Sequence, residues 1–126
     1  MINSGKEWDW QDMLGKETRP WGTYEVLLDT DYCKVKRIIV KPGAKLSYQY
    51  HNKRRECWTV VQGMLTIVLD DEKIYRNEGQ SVRIPLGAKH RAWNESDESV
   101  IFIEVQTGTY FGEDDIIRIE DDYGRI

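Results

Sequence analysis

From Trp21 onward, short apolar runs rich in Val, Ile and Tyr recur, broken by Gly, Pro, Asn and Asp. Runs of this length and content are those of β-strands. The pattern predicts strands over residues 22–28, 32–40, 45–51, 56–62, 64–69, 73–77, 81–84, 90–94 and 99–106. Each run ends on turn formers, as at Asp29-Thr30-Asp31, Pro42-Gly43, Gln62-Gly63, Asp70-Asp71 and Pro85-Leu86-Gly87. Many short, evenly spaced strands point to an all-β sandwich or barrel, and the lack of strand–helix alternation argues against a parallel α/β fold. Two stretches break the rhythm. Residues 5–15 carry Trp8, Trp10, Met13 and Leu14 among charges, which predicts a short helix or an arm packed on the body. Residues 113–122 predict a short helix or an edge strand at 116–119. The expected division is an N-terminal arm over 1–18 and one barrel over 19–126, without repeats or an interdomain linker.

Composition narrows the function. The chain has 126 residues, enough for one hydrophobic core. Its apolar fraction of 40% is modest, and five Trp and seven Tyr compensate through their large buried area. A net charge of -4 gives no electrostatic reason to expect nucleic acid. Basic residues still cluster at Lys53-Arg54-Arg55, where they could hold an anion. Two cysteines, Cys33 and Cys57, make no disulfide framework and read as reduced thiols of a cytoplasmic protein. Met1 to Trp10 is polar and no apolar run exceeds strand length, so neither a signal peptide nor a membrane span is expected.

The candidate chemistry lies in two spaced motifs. Gly43, Gln49, His51, Glu56 and Gly63 form the first; Gly79, Pro85, Gly87, His90 and Asn94 form the second. Together they offer an amide oxygen, two imidazoles and a carboxylate, a donor set suited to a divalent transition metal. Both histidines of the chain fall inside it. Strand alternation puts Gln49 and His51 on one face, with Lys45 and Ser47 beside them if the strand runs straight. It also groups Glu56, Trp58 and Val60, and leaves Asn52 to Arg55 as a polar rim loop. Each residue taken singly has a plainer reading as a hydrogen-bonded structural group. A buried carboxylate without a partner is costly, however, and a metal supplies one.

At these residues the chain resembles the cupin superfamily, with Gln49 standing where the first motif usually has histidine. Further blocks sharpen the resemblance: Arg19-Pro-Trp-Gly, Leu46-Ser-Tyr-Gln-Tyr-His, Ile84-Pro-Leu-Gly-Ala-Lys-His-Arg and Gly112-Glu-Asp-Asp-Ile-Ile-Arg-Ile-Glu-Asp-Asp-Tyr-Gly-Arg. They are similar to the isomerase domain of type II phosphomannose isomerases, from about Arg19 to Arg125. The resemblance implies a double-stranded β-helix, or jelly-roll barrel. It implies a metal held by Gln49, His51, Glu56 and His90, with zinc the default among zinc, manganese, cobalt, iron and nickel. It implies interconversion of mannose 6-phosphate and fructose 6-phosphate. In that family a guanylyltransferase domain usually precedes the barrel, and no such activity is expected of this polypeptide. The family also carries histidines where this chain has Asn52, Lys53 and Cys57.

Such an isomerisation needs a proton carrier, and Lys53, Arg54, Lys45 and Glu104 are the candidate catalytic residues, with Lys36 a further lysine of the right type. Strand register decides whether Lys45 or Lys36 points inward, and Glu104 is divided evenly between cavity and surface. Phosphate needs cationic donors, for which Arg54, Arg91 and Arg37 are the candidates, while Arg55 reads as a surface ion pair. Trp58 reads as core packing before sugar stacking, and Cys57 as an outward structural residue. Two other classes compete. A non-catalytic sugar- or nucleotide-sugar-binding module is favoured by the replaced histidines. A metal-dependent dioxygenase is disfavoured by the amide ligand. The expected partners are a small-molecule sugar phosphate and a second copy in a homodimer formed through edge strands.

Overall fold

The computed structural model describes residues 15–125. The arm or helix expected over residues 5–15 lies outside them except for Gly15. Eleven strands and one short 3-10 turn follow. In chain order the strands are β1 (Lys16–Arg19), β2 (Gly22–Asp29), β3 (Cys33–Val40), β4 (Tyr48–Tyr50), β5 (Arg54–Gln62) and β6 (Leu65–Leu69). They continue as β7 (Glu72–Arg76), β8 (Ser81–Ile84), β9 (His90–Trp93), β10 (Val100–Gly108) and β11 (Ile117–Glu120). The 3-10 turn, Glu113–Asp115, stands just before β11, so the late segment contains both a helical turn and an edge strand.

All pairings are antiparallel and form two sheets, β1-β2-β3-β10-β5-β8 and β11-β4-β9-β6-β7. They face each other as the expected all-β, double-stranded β-helix. No helix among the described residues is long and apolar enough to cross a membrane.

Three departures from the predicted strands have physical causes. The strand expected over 45–51 shrinks to β4, with Lys45 making a single bridge to Trp93. β5 begins at Arg54, because Arg54 alternates inward ahead of Glu56. β1 was not predicted, since Lys-Glu-Thr-Arg offers no apolar face; it holds through its hairpin with β2. That hairpin needs Gly22, whose φ of +150° brings its Cα so near Ile39 that an added Cβ would run into the carbonyl oxygen.

The interior divides along the strands. On β3, β5 and β10 the inward positions read Lys36-Ile38-Val40, Arg54-Glu56-Trp58-Val60 and Val100-Phe102-Glu104-Gln106. Register lines these up in rows, with Phe102 beside Ile38 and Val60, Glu104 beside Lys36 and Trp58, and Gln106 beside Glu56. One end of the barrel is therefore apolar, joined by Leu65, Ile67 and Ala92 from the other sheet. The other end is lined with buried charge.

Candidate metal centre and its cavity

The polar end collects side chains from both sheets. His51 follows β4, Glu56 lies on β5 and His90 opens β9. Each offers a ligand atom within 4.8 Å of the others, and all three residues are buried. Gln49 is opposite His90 across the β4–β9 pair and lines the adjoining cavity, with its Oε1 accepting from Ser47 Oγ at 2.6 Å.

Hydrogen bonds orient the imidazoles. His51 Nδ1 lies 3.0 Å from the Asp115 carbonyl oxygen, and His90 Nδ1 lies 2.9 Å from that of Ala88. A carbonyl oxygen only accepts, so each Nδ1 carries the proton and donates. Nε2 is then the nitrogen left to bind a cation, the arrangement that metal-binding histidines use. His51 Nε2 stands 3.0 Å from Glu56 Oε2, and His90 Nε2 stands 3.7 Å from Glu56 Oε1. His90 Nε2 is buried and makes no hydrogen bond, which suits a lone pair reserved for a metal. Burial pushes the His90 pKa down and keeps the ring neutral, as ligation requires. Burial alone would raise the Glu56 carboxyl. The Arg54 guanidinium, whose Nε lies 2.9 Å from Oε2, outweighs this and holds the carboxyl below the usual range. An ionised carboxylate with two imidazole nitrogens fits a divalent metal.

Beside these groups lies a cavity of about 70 Å³. Arg54 and Glu104 line it. Arg54 donates through Nε to Glu56 Oε2 at 2.9 Å, and its Nη2 lies 3.3 Å from His51 Nε2. Glu104 accepts at Oε1 from Trp58 Nε1 (3.1 Å) and at Oε2 from Gln106 Nε2 (2.7 Å). Burial, then the neighbouring Glu56 charge, push its pKa up to about 8, so it stays protonated at neutral pH.

Of the residues singled out in the sequence, Gln49, His51, Glu56, His90, Arg54 and Glu104 are brought together at this end. Four are not. Lys45 Nζ stands over the Trp93 ring and 3.8 Å from Asp122, away from the cavity lining. Lys53 is exposed, with Nζ 5.2 Å from the Tyr110 ring centroid. Arg91 donates to the Leu46 carbonyl and lies over Tyr48, and Arg37 pairs with Glu25. Trp58 is buried packing against Phe102 and His90, with its indole N–H shared between Glu56 and Glu104. Asn52 and Lys53 are exposed and Cys57 does not line the cavity, so the departures from the family pattern take no group out of it.

The sequence reading missed the C-terminal strap, residues 112–125. Glu113, Arg118 and Arg125 from it line the cavity together with Arg19 and Lys36. Asp115 ties the strap to the ligand loop, its carboxylate accepting from the backbone N–H groups of Asn52 and Lys53 at 3.1 and 2.9 Å. The available signal was the Gly112–Arg125 block, which contained these residues without giving them a task.

Known proteins resemble this chain in sequence and in fold. The family model described as mannose-6-phosphate isomerase C-terminal matches residues 7–121. The xanthan biosynthesis protein XanB of Xanthomonas campestris pv. campestris is 49% identical over 110 residues, covering 87% of this chain and 24% of that protein. The alginate biosynthesis protein AlgA of Pseudomonas aeruginosa is 47% identical over 107 residues, covering 85% of this chain and 22% of that protein. This chain thus spans about a quarter of the length of these relatives. Among solved structures, the capsular polysaccharide assembling protein CapF from Staphylococcus aureus superposes with a TM-score of 0.73 at 26% identity, covering 83% of this chain and 34% of that one. A Klebsiella pneumoniae protein with a double-stranded β-helix domain superposes with a TM-score of 0.74 at 20% identity, covering 92% and 98%, which speaks to the fold alone.

Proposed function

This chain belongs to the mannose-6-phosphate isomerase C-terminal family, and from that premise we propose that it interconverts mannose 6-phosphate and fructose 6-phosphate with a bound divalent metal, zinc by default. The observation that carries this reading is the convergence of His51, Glu56 and His90 beside a cavity lined by Arg54 and Glu104. Gln49 is the fourth ligand in this proposal. The metal, when bound, supplies Lewis-acid stabilisation of charge on the sugar oxygens.

The protein's own side chains supply the rest. The reaction moves a proton between C1 and C2 through an enediol, so one group must take it and return it. Glu104 is the group we assign. Its environment holds a proton at neutral pH, which it can give to the sugar carbonyl oxygen; the carboxylate so formed takes the proton from C2, returns it to C1 and recovers its own from the C2 hydroxyl. Trp58 and Gln106 fix both carboxyl oxygens, which limits the motion available at the moment of transfer. Arg54 brings a permanent positive charge next to the metal ligands and into the cavity, where it attracts the anionic substrate. Arg118 adds a buried Nε without a hydrogen-bond partner.

A coupled assay following fructose 6-phosphate formed from mannose 6-phosphate, with zinc, manganese, cobalt or iron added, tests the proposal. Glu104→Gln is expected to lower kcat by about 10²–10⁴-fold with little change in KM. Tight binding of mannose 6-phosphate without turnover under every metal would instead identify a non-catalytic binding module.

A further inference from the structure

Two cations in the cavity share a single anion. Lys36 Nζ bonds to Glu113 Oε2 at 3.2 Å and lies 4.5 Å from the Tyr24 ring centroid. Arg54 spends Nε and Nη2 on Glu56 and His51. Its Nη1 is buried without a hydrogen bond and comes only within 3.8 Å of the same Glu113 oxygen. The cations are fixed in the sheet, with side chains 7% and 2% exposed, whereas the Glu113 side chain is 48% exposed. Glu113 also rides on a single 3-10 turn whose start, at Gly112, has no side-chain cap.

The arrangement has a buried positive half and a movable negative half. One carboxylate oxygen serves both cations and leaves Arg54 Nη1 without a bond. A tetrahedral group with three free oxygens could satisfy Lys36 and Nη1 together. Removing Glu113 with nothing in its place would strand the buried Lys36 charge and leave Arg54 Nη1 facing no anion, which is costly, so exchange for another anion is favoured over simple opening.

Resting on the sugar-phosphate reading above, we propose that Lys36 and Arg54 form a phosphate-monoester subsite that Glu113 fills in the absence of substrate, and that substrate enters by exchanging its phosphate for the Glu113 carboxylate. The exchange gives the site its preference for phosphorylated sugars. A neutral sugar brings nothing to replace the departing charge, whereas a phosphate keeps both cations paired throughout. Glu113 is then a gate built from the C-terminal strap.

Calorimetric titration of the full chain with inorganic phosphate tests this without requiring turnover. Glu113→Gln removes the competing charge while keeping the side-chain shape, and is expected to bind phosphate about fivefold more tightly than the parent, because the binding-competent fraction rises. Lys36→Met is expected to weaken phosphate binding about tenfold or more, alone and combined with Glu113→Gln, while Lys36→Arg restores it. Equal or weaker binding by Glu113→Gln overturns the proposal, as does full binding by Lys36→Met. Mannose 6-phosphate and mannose, titrated in parallel, should differ in the same sense. If phosphate exchange holds but the coupled assay shows no isomerisation, the isomerase reading fails and the subsite stands. If isomerisation holds but Glu113→Gln binds phosphate no better, the subsite fails and the isomerase stands.

Discussion

Single residues decide whether this cavity is a metal site. Glu56 is the keystone, in contact with His51, His90, Arg54 and the Trp58 indole N–H. Glu56→Gln keeps the shape and removes the charge. It should reduce metal affinity by more than about a hundredfold, since even outer-shell changes cost ten- to a hundredfold. It should also cost about 3 kcal/mol in the metal-free protein, because Arg54 loses its buried counter-charge. Elemental analysis and urea unfolding read the two effects separately, and retained metal would refute the ligand assignment. The histidines and Glu56 were legible in the sequence because motif spacing and strand alternation agree. Lys36 and Lys45 were not separable in that way. β4 is only three residues long, so the alternation that seats Gln49 does not extend back to Lys45. Arg37 lies on regular β3 between the inward Lys36 and Ile38, so its guanidinium turns outward to Glu25, and that of Arg91 turns to the Leu46 carbonyl.

At the scale of elements, the C-terminal strap matters most and was least legible. Its 3-10 turn and β11 are short; Ile117-Arg118-Ile119-Glu120 alternates over four residues, enough to read an edge strand but not its place against the cavity. Pairing with β4 and the Asp115 tie hold its first half, and its end is held by polar, local contacts. Asp121 accepts from the Arg125 backbone N–H at 2.7 Å and from Nε and Nη2 at 2.8 Å each. The hydrogen bonds from Arg125 draw the Asp121 carboxyl down from 3.8 to about 2. A carboxyl with a depressed folded-state pKa stabilises the protein above its unfolded value, and this contribution is lost as pH falls through the folded value. Asp121→Asn should therefore cost about 1–2 kcal/mol at pH 7. The gap between parent and variant should close as pH falls from 3.8 toward 2. Unfolding monitored across that range checks it, and a gap independent of pH would deny the ion pair its role. Gly108 anchors the strap's approach from the sheet. Its φ of +148° and its contact with the Lys53 carbonyl leave no space for a Cβ beside the loop that presents Arg54.

For the whole molecule, stability and chemistry occupy opposite ends of one barrel. The strand rows that pass from Val40 and Val100 through Ile38, Phe102 and Val60 to Lys36, Glu104 and Glu56 make this division continuous, with Trp58 at the border. The overall β architecture was legible because alternation persists through both ends, in Arg54-Glu56-Trp58-Val60 as much as in the apolar rows. What alternation does not reveal is depth along the barrel, which depends on pairing register between distant strands. Leu65 tests the separation. It is fully buried at the start of β6, while Leu69, at the other end of that strand, is the residue paired with His90. Leu65→Ala should cost about 2–5 kcal/mol through lost burial and the cavity left behind. Metal affinity should remain unchanged, since distant sites without shared partners act independently. Chelation should do the converse, lowering the melting temperature of the metal-loaded parent and of Leu65→Ala by similar amounts while leaving Glu56→Gln unmoved. A chelation shift that disappears in Leu65→Ala would mean that the two ends are coupled. The apolar half would then have to be counted as part of the site.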